Sequence, residues 1–105
     1  MSKLEPWRVF FALGDENRLA MLRRLGERGP LAMLQLVEGF PFTRQAGAKH
    51  VDVLAAAGLV TVTAKGRQRV VVLQPENLHL TQLYMAHIES VWNDRLSDLE
   101  ALVQE

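Results

Sequence analysis

The side chains with the chemistry of binding concentrate in one stretch, residues 42–60, FTRQAGAKHVDVLAAAGLV. Arg44, Gln45 and Lys49 carry a guanidinium, a carboxamide and an ammonium group, and their spacing of one and four residues places them, together with Ala48, on one side of a helix. The other side carries a short apolar strip, formed by Ala46, Val51, Leu54 and Ala55. The pattern indicates a basic, amide-bearing outer face, and its alternative is an ordinary solvated amphipathic helix.

The ends of this helix and the segment before it decide between the two interpretations. Thr43 is a suitable N-cap, and Gly58 stands where a left-handed residue is expected to close the helix. Residues 31–38, LAMLQLVE, predict a short apolar helix, and Pro41 places a boundary before the basic helix. Two helices joined by a tight apolar turn are typical of a helix-turn-helix, here at about residues 32–57. The second helix of that motif lies in the DNA major groove.

The period of the pattern changes after Gly58. Residues 59–64 are rich in β-branched side chains and alternate as a half-buried strand does, and residues 68–73 predict a second strand. The turn between them carries Lys65 and Arg67, with Arg69 close behind. We therefore expect a β-hairpin wing with a basic tip at about residues 59–73. The order of helix, turn, basic helix and basic hairpin is more specific than any one of these signals.

The formal net charge of the 105 residues is zero, but the charges are unevenly placed. Residues 1–42 carry six basic and five acidic side chains, a balance of +1. Residues 43–69 carry five basic side chains against Asp52, a balance of +4. Residues 70–105 carry Arg95 against six acidic side chains, a balance of −5. A basic segment centred on the predicted helix-turn-helix and wing is the electrostatic pattern of a phosphate-binding face.

The helices that flank this segment supply the remaining elements. The first is predicted to begin near Pro6 and to end at Gly14. A second, capped by Asp15, carries Leu19, Leu22 and Leu25 on its apolar face. Most of its four arginines are expected to be surface charge without a ligand, the four being Arg18, Arg23, Arg24 and Arg28.

A long C-terminal helix at about residues 76–103 carries a continuous apolar stripe. At 1.5 Å per residue it extends roughly 40 Å, further than so small a core requires, so the stripe suggests a subunit interface. The alternative is that the helix folds back on its own core. The residues expected in the homodimer interface are Trp7, Phe10, Phe11, Leu80, Tyr84, Ile88, Val91, Trp92 and Leu99. The predicted fold class is mainly α with a small β-hairpin, an α+β winged helix-turn-helix that occupies residues 1–105 as one domain.

Several classes of function are disfavoured. The sequence has no cysteine, which removes disulfides, thiolate metal sites and thiol redox sensing. No signal peptide or membrane-spanning segment is apparent, so we expect a cytoplasmic protein without a membrane partner. An enzyme is a poor fit because the chain has no glycine-rich phosphate loop and no histidine and carboxylate arranged with a nucleophile; its only serines are Ser2, Ser90 and Ser97.

These residues resemble the ArsR-type winged-helix transcriptional repressors over nearly the whole chain. The resemblance rests on LGDENRLAMLRRL, on the helix LAMLQLVE, on TRQAGAKHVDVLAAAGLV, on the wing tip, on LQPENL and on VWNDRLSDLEALV. It implies a symmetric dimer, held by the first and last helices, that binds a palindromic operator in double-stranded DNA and represses transcription. The DNA-contact positions it carries over are Thr43, Arg44, Gln45, Ala48, Lys49, His50, Lys65, Arg67 and Arg69.

The resemblance also suggests roles for these residues. Arg44 is expected to pair with guanine and Gln45 with adenine, whereas Thr43 and Lys49 are expected to hold phosphate. His50 is expected to be a structural, hydrogen-bonded histidine with at most a phosphate contact. Two residues depart from the family pattern: Gly47 replaces a branched apolar residue, and Ala48 replaces a common hydroxyl residue. The first costs helix propensity of about 1 kcal/mol relative to alanine.

Many members of this family respond to metals, so the metal-ligand positions matter. The thiolate site is absent. On the last helix the nearest candidate ligands are His79, His87, Glu89 and Ser90, with Asn77 in the place of an anionic ligand. His87 and Glu89 are not a helical i+3 or i+4 pair. We therefore predict no metal and no cofactor, and an effector that is cysteine-independent or absent. The alternatives are a histidine–carboxylate metal-responsive repressor and a winged helix that binds protein.

Overall fold

The computed structural model describes residues 5–104; residues 1–4, among them Ser2, and residue 105 lie outside the described part of the chain. The elements, in chain order, are α1 (Pro6–Leu13), α2 (Glu16–Arg28), β1 (Leu31–Ala32), α3 (Met33–Val37), α4 (Arg44–Ala56), β2 (Val60–Lys65), β3 (Gln68–Leu73) and α5 (Pro75–Val103). The basic helix is thus α4, the wing is β2 with β3, and the long C-terminal helix is α5.

One hydrophobic core joins α1–α4 to the sheet, and every one of these elements contributes a side chain to it. Because apolar burial is the main favourable term in folding, this core fixes how α4 is presented. The residues that are fully removed from solvent are Val9, Ala12, Met21, Leu25, Leu36, Val51, Leu54, Leu59, Val60 and Val71. Leu19, which we predicted on the apolar face of α2, is instead exposed.

The sheet has three strands in the order β1-β3-β2, all antiparallel. The prediction of a helix from residue 31 was therefore wrong at its start, because Leu31 pairs with Val71 and Ala32 with Val70 before α3 begins at Met33. Leu31 and Val71 are both buried, so the added strand places a side chain in the core and joins α3 to the base of the wing. A short apolar run does not by itself distinguish strand from helix.

Asp15 begins α2 as predicted, and its carboxylate accepts hydrogen bonds from the amides of Asn17 and Arg18. The amide of Arg18 holds the pKa of the Asp15 carboxyl below its usual range, against the opposing effect of partial burial. A capping carboxylate is stabilised in its charged form by the orphan amides at a helix start.

The prediction that most of the four arginines of α2 are surface charge holds for Arg23 and Arg28, which are exposed, but not for the other two. Arg24 Nη1 donates to the carbonyls of Leu36 at 3.0 Å and Glu38 at 2.7 Å, and its guanidinium lies over the ring of Phe40. Arg24 therefore holds the C-terminal end of α3 and the chain that leaves it. Arg18 is the second such residue, with contacts on both α1 and α4.

The two terminal helices leave most of their large apolar side chains in solvent. Of the α5 residues only Thr81 is buried, and the helix contributes to a molecule 69 Å in its longest dimension. On α1, Val9 and Ala12 enter the core, whereas Trp7 and Phe11 are 61% and 62% exposed. No helix within residues 5–104 combines the length and the apolarity needed to cross a membrane.

Candidate nucleic-acid interface

Both ends of α4 are fixed by local hydrogen bonds. Thr43 is the N-cap, and its hydroxyl oxygen accepts from the amide of Ala46 at 3.1 Å. At the other end Gly58 has a φ of 73°, its amide donates to Ala55, and the amide of Leu59 donates to the carbonyl of Leu54. This is a Schellman motif, which requires the left-handed conformation that glycine adopts without strain.

Asn77, at the start of α5, also contacts this end of α4. Its side-chain amide Nδ2 donates to the carbonyl oxygens of Gly58 at 3.3 Å and Ala57 at 3.4 Å. A side chain at position 58 would collide with that amide. Asn77 therefore links the long C-terminal helix directly to the end of the basic helix.

Gly47 is buried in the face of α4 that packs against α3. A Cβ at position 47 would overlap Cγ1 of Val37 and would lie 3.1 Å from Cε1 of Phe42. The departure from the family pattern at this position therefore has a packing reason. Glycine lets α4 approach α3 more closely than any side-chain-bearing residue would allow.

An open cleft of about 530 Å³ lies between α4, the start of α3 and the wing. Arg44, Gln45 and Ala48 line it from α4, and Arg67 and Arg69 line it from the wing. Residues predicted separately from the helix and from the hairpin are thus brought to one concave surface. The cleft is completed by Ala32, Met33, Leu34 and Gln68.

The described lining of this cleft carries positive charge. Arg44, Arg67 and Arg69 supply three guanidinium groups, and none of the described lining residues is a carboxylate. None of the ion pairs formed among residues 5–104 involves these three arginines or the neighbouring Lys49 and Lys65. A concave surface lined by one sign of charge concentrates ligands of the opposite sign.

The remaining predicted contact residues lie around the cleft rather than in it. Thr43, Lys49 and Lys65 are exposed and do not line it. His50 is half-buried and faces α2, where its Nδ1 is 3.4 Å from Nη1 of Arg18. The ring of His50 also meets that of Phe42 edge-on, with the ring centroids 5.1 Å apart.

Arg18 connects this histidine to α1. Its Nε donates to the carbonyl oxygen of Ala12 at 2.7 Å and its Nη2 donates to that of Phe11 at 3.1 Å. The same guanidinium therefore contacts both the end of α1 and the imidazole of His50. Arg18 thus joins the C-terminal end of α1 to the middle of α4.

Sequence reasoning did not find four of the residues in the cleft. Gln68 lies between the predicted Arg67 and Arg69, so its position at the wing tip was a usable signal. Ala32, Met33 and Leu34 were assigned to an apolar helix whose pattern did not show which side is exposed. The bend from β1 into α3 directs these residues toward the cleft. Leu34 in particular remains 55% exposed.

The candidate metal ligands are spread along the exposed surface of α5. His79, His87 and Glu89 are all solvent-exposed. Within residues 5–104, no group of three or more histidine, aspartate or glutamate side chains is placed to hold a metal ion. Asn77 is engaged with the carbonyls at the end of α4.

Comparison with known proteins agrees with this geometry. The family model for a helix-turn-helix domain matches residues 13–63. YuzN, an uncharacterized HTH-type transcriptional regulator of Bacillus subtilis (strain 168), is 42% identical over 76 residues, which cover 67% of this chain and 83% of YuzN. The HTH-type transcriptional regulator Rv2034 of Mycobacterium tuberculosis is 40% identical over 73 residues, which cover 70% of this chain and 67% of that relative.

Solved structures extend the agreement to the fold. An ArsR-like transcriptional regulator from Rhodococcus sp. RHA1 superposes with a TM-score of 0.82 at 33% identity, covering 92% of this chain and 91% of that one. The predicted resemblance and the predicted winged helix-turn-helix are both confirmed. The chain belongs to the ArsR family of helix-turn-helix transcriptional regulators, and it is a DNA-binding regulator rather than an enzyme.

Proposed function

We propose that this protein is a cytoplasmic, homodimeric repressor that binds a palindromic DNA operator with α4 in the major groove. The observation that carries the proposal is the shared cleft. Arg44 and Gln45 from α4 lie on the same concave surface as Arg67 and Arg69 from the wing, and its lining within residues 5–104 includes no carboxylate. In a bound duplex, base edges would face Arg44 and Gln45, and backbone phosphates would face Arg67 and Arg69.

The side chains divide between reading bases and holding the backbone. Arg44 and Gln45 lie in the first turn of α4, where a recognition helix meets base edges, and they match guanine and adenine respectively. Thr43 and Lys49, beside the cleft, hold phosphate. Arg67, with Lys65 and Arg69, reaches an adjacent phosphate or the minor groove.

The dimer is supported by the unpartnered apolar faces of α1 and α5. Trp7, Phe11 and Trp92 are each more than half exposed. Exposure of such large apolar side chains to water is unfavourable and marks an interaction surface. Pairing the long helices of two copies buries them and relates the two α4 helices by a two-fold axis. The operator is then a palindrome with half-sites one helical turn apart, about 34–36 Å.

Repression follows from the position of the operator, since a dimer bound over a promoter excludes the polymerase. A cysteine-free chain has no thiolate metal ligand or thiol sensor, so any effector acts through other groups. The exposed His79, His87 and Glu89 define the alternative, a regulator that responds to a metal through histidine and carboxylate ligands.

The experiment selects bound duplexes from a random library and then measures the affinity of the selected site against salt concentration. We expect a palindrome and a steep fall of affinity with salt, because each phosphate contact releases condensed counterions. No preference over random duplex, or a flat salt dependence, would overturn the proposal. Transcription from a promoter that carries the selected site should decrease when the protein is present. Increased transcription would refute the assignment as a repressor but not the binding of the operator.

A further inference from the structure

The lining of the basic cleft is partly apolar, and we call its apolar part, formed by Ala48, Leu34 and Met33, the floor. Ala48 is half-buried there between the polar side chains of Arg44 and Gln45 and the wing. Leu34 and Met33, from the start of α3, line the same cleft, and Leu34 is 55% exposed. The cleft thus combines methyl, thioether and isobutyl groups with three guanidinium groups, whereas a surface that only holds phosphate has no use for the apolar groups.

The floor depends on the close packing of α3 and α4. At Gly47 the buried face of α4 packs closely against Val37 of α3. The next residue, Ala48, faces the cleft. β1 ends at Ala32 and α3 begins at Met33, which directs Leu34 to the same side. Neither Leu34 nor Ala48 belongs to the hydrophobic core or to the apolar faces of α1 and α5.

We propose that Ala48, flanked by Leu34, contacts the C5 methyl group of a thymine in each operator half-site and so specifies that base. The proposal deepens the proposed function and rests on it. Thymine is the base that presents a methyl group in the major groove, and alanine is a residue that contacts it. The arginines of the rim favour the polyanionic backbone that must accompany such a base.

The position of this thymine follows from helix geometry. Ala48 lies four residues beyond Arg44, a rise of about 6 Å along α4, which corresponds to roughly two base pairs. The specified thymine is therefore expected close to the guanine read by Arg44, not at the outer edge of the half-site where the wing contacts the backbone.

The experiment removes the methyl group from the DNA without changing its base pairing. Each thymine of the selected operator is replaced in turn by deoxyuridine, and affinity is measured with the wild-type protein and with Ala48→Gly. Ala56→Gly is the matched control, because Ala56 is exposed on the same helix and does not line the cleft. Leu34→Ala is a second test variant, with the exposed Leu19→Ala on α2 as its control.

For the wild-type protein we expect one thymine per half-site at which the loss of the methyl group weakens binding about fourfold, the value of one buried methylene. Ala48→Gly should abolish this difference at that position, and Ala56→Gly should preserve it. Leu34→Ala should reduce it, and Leu19→Ala should not. The interaction free energy between the protein substitution and the DNA substitution reports the contact itself, because an effect on helix stability alone would be the same with either base.

A wild-type protein that binds the operator specifically and with a steep salt dependence, yet does not distinguish thymine from deoxyuridine at any position, would overturn this inference and leave the proposed function standing. So would an equal thymine preference in Ala48→Gly. A protein with no preference for the selected site over random duplex would overturn both.

Discussion

Gly47 of α4 and Val37 of α3 are in such close contact that a Cβ on the glycine would overlap Cγ1 of the valine. The space available at this one position sets the distance between the two helices of the helix-turn-helix. In the sequence, Gly47 only lowers the helix propensity of α4. In the structure, it determines how closely α4 packs against α3.

Gly47→Ala should lower the free energy of unfolding by about 1 kcal/mol, because overpacking of roughly 1–3 kcal/mol exceeds the propensity gain of about 1 kcal/mol. Urea unfolding at fixed protein concentration measures this difference. Gly26→Ala is the control, since an added Cβ on that exposed residue of α2 meets no atom within 4 Å. It should stabilise the protein by about 1 kcal/mol. Stabilisation by Gly47→Ala would contradict the packing argument.

Arg44→Ala and Gln45→Ala should relax sequence preference at one base pair per half-site each. Each bidentate contact contributes roughly 1–3 kcal/mol of discrimination, so the advantage of the preferred base should fall by about 5-fold to 150-fold. Competition between the selected operator and single-base variants measures the effect. A uniform loss on every sequence, with preference retained, would reassign these side chains to the backbone.

Arg67→Ala should weaken binding to the operator and to random duplex by a similar factor. Because its predicted partner is a phosphate, the slope of log affinity against log salt should fall by about 1. Arg23→Ala, which removes an exposed arginine of α2 outside the cleft, should leave the slope unchanged. A loss confined to one operator sequence would instead place Arg67 on a base.

Arg24→Ala should destabilise the fold by about 2 kcal/mol. It removes two charge-assisted hydrogen bonds to the end of α3 and the cation–π contact with Phe40. Thermal unfolding compares it with Arg23→Ala, which loses only an exposed pair with Glu27 and should stay within about 0.5 kcal/mol of wild type. Equal effects of the two substitutions would show that the Arg24 contacts do not stabilise α3.

Trp92→Glu should convert the proposed dimer to monomers at micromolar concentration. It places a charge in the exposed apolar stripe of α5, where Trp92 is 61% exposed. Asn93→Glu adds the same charge at the neighbouring exposed residue, on the polar side of the helix, and should leave the dimer intact. Sedimentation measures both. A monomeric wild-type protein, or an unchanged Trp92→Glu dimer, would exclude α5 as the interface.

The parts of the fold that sequence predicted well are those specified locally. Thr43 and Gly58 bound α4 because their side-chain and backbone chemistry acts within a few residues. The alternation of β-branched residues places the wing, and the long apolar stripe places α5 to within one residue of its observed start.

What sequence did not predict depends on pairs that are distant along the chain. β1 exists because Leu31 meets Val71, and two residues carry no strand period of their own. The guanidinium groups of Arg18 and Arg24 donate to backbone carbonyls of other elements, and helical spacing does not predict those contacts. Leu34 was assigned to a short helix that is apolar all round, so its period could not show which side faces the cleft.

The exposure of α5 has a consequence for regulation. Most of the stability of a helix in a protein comes from the packing of its apolar face, so a 29-residue helix with a single buried residue draws little of that stability from its own chain. In the proposed dimer, the ordering of this helix is therefore coupled to the association of two chains, and both depend on the concentration of the protein. Through Asn77, the same helix is attached to the end of α4. Dilution of the regulator in a growing cell would then release the operator without an inducer, so gene expression would track the abundance of the protein itself.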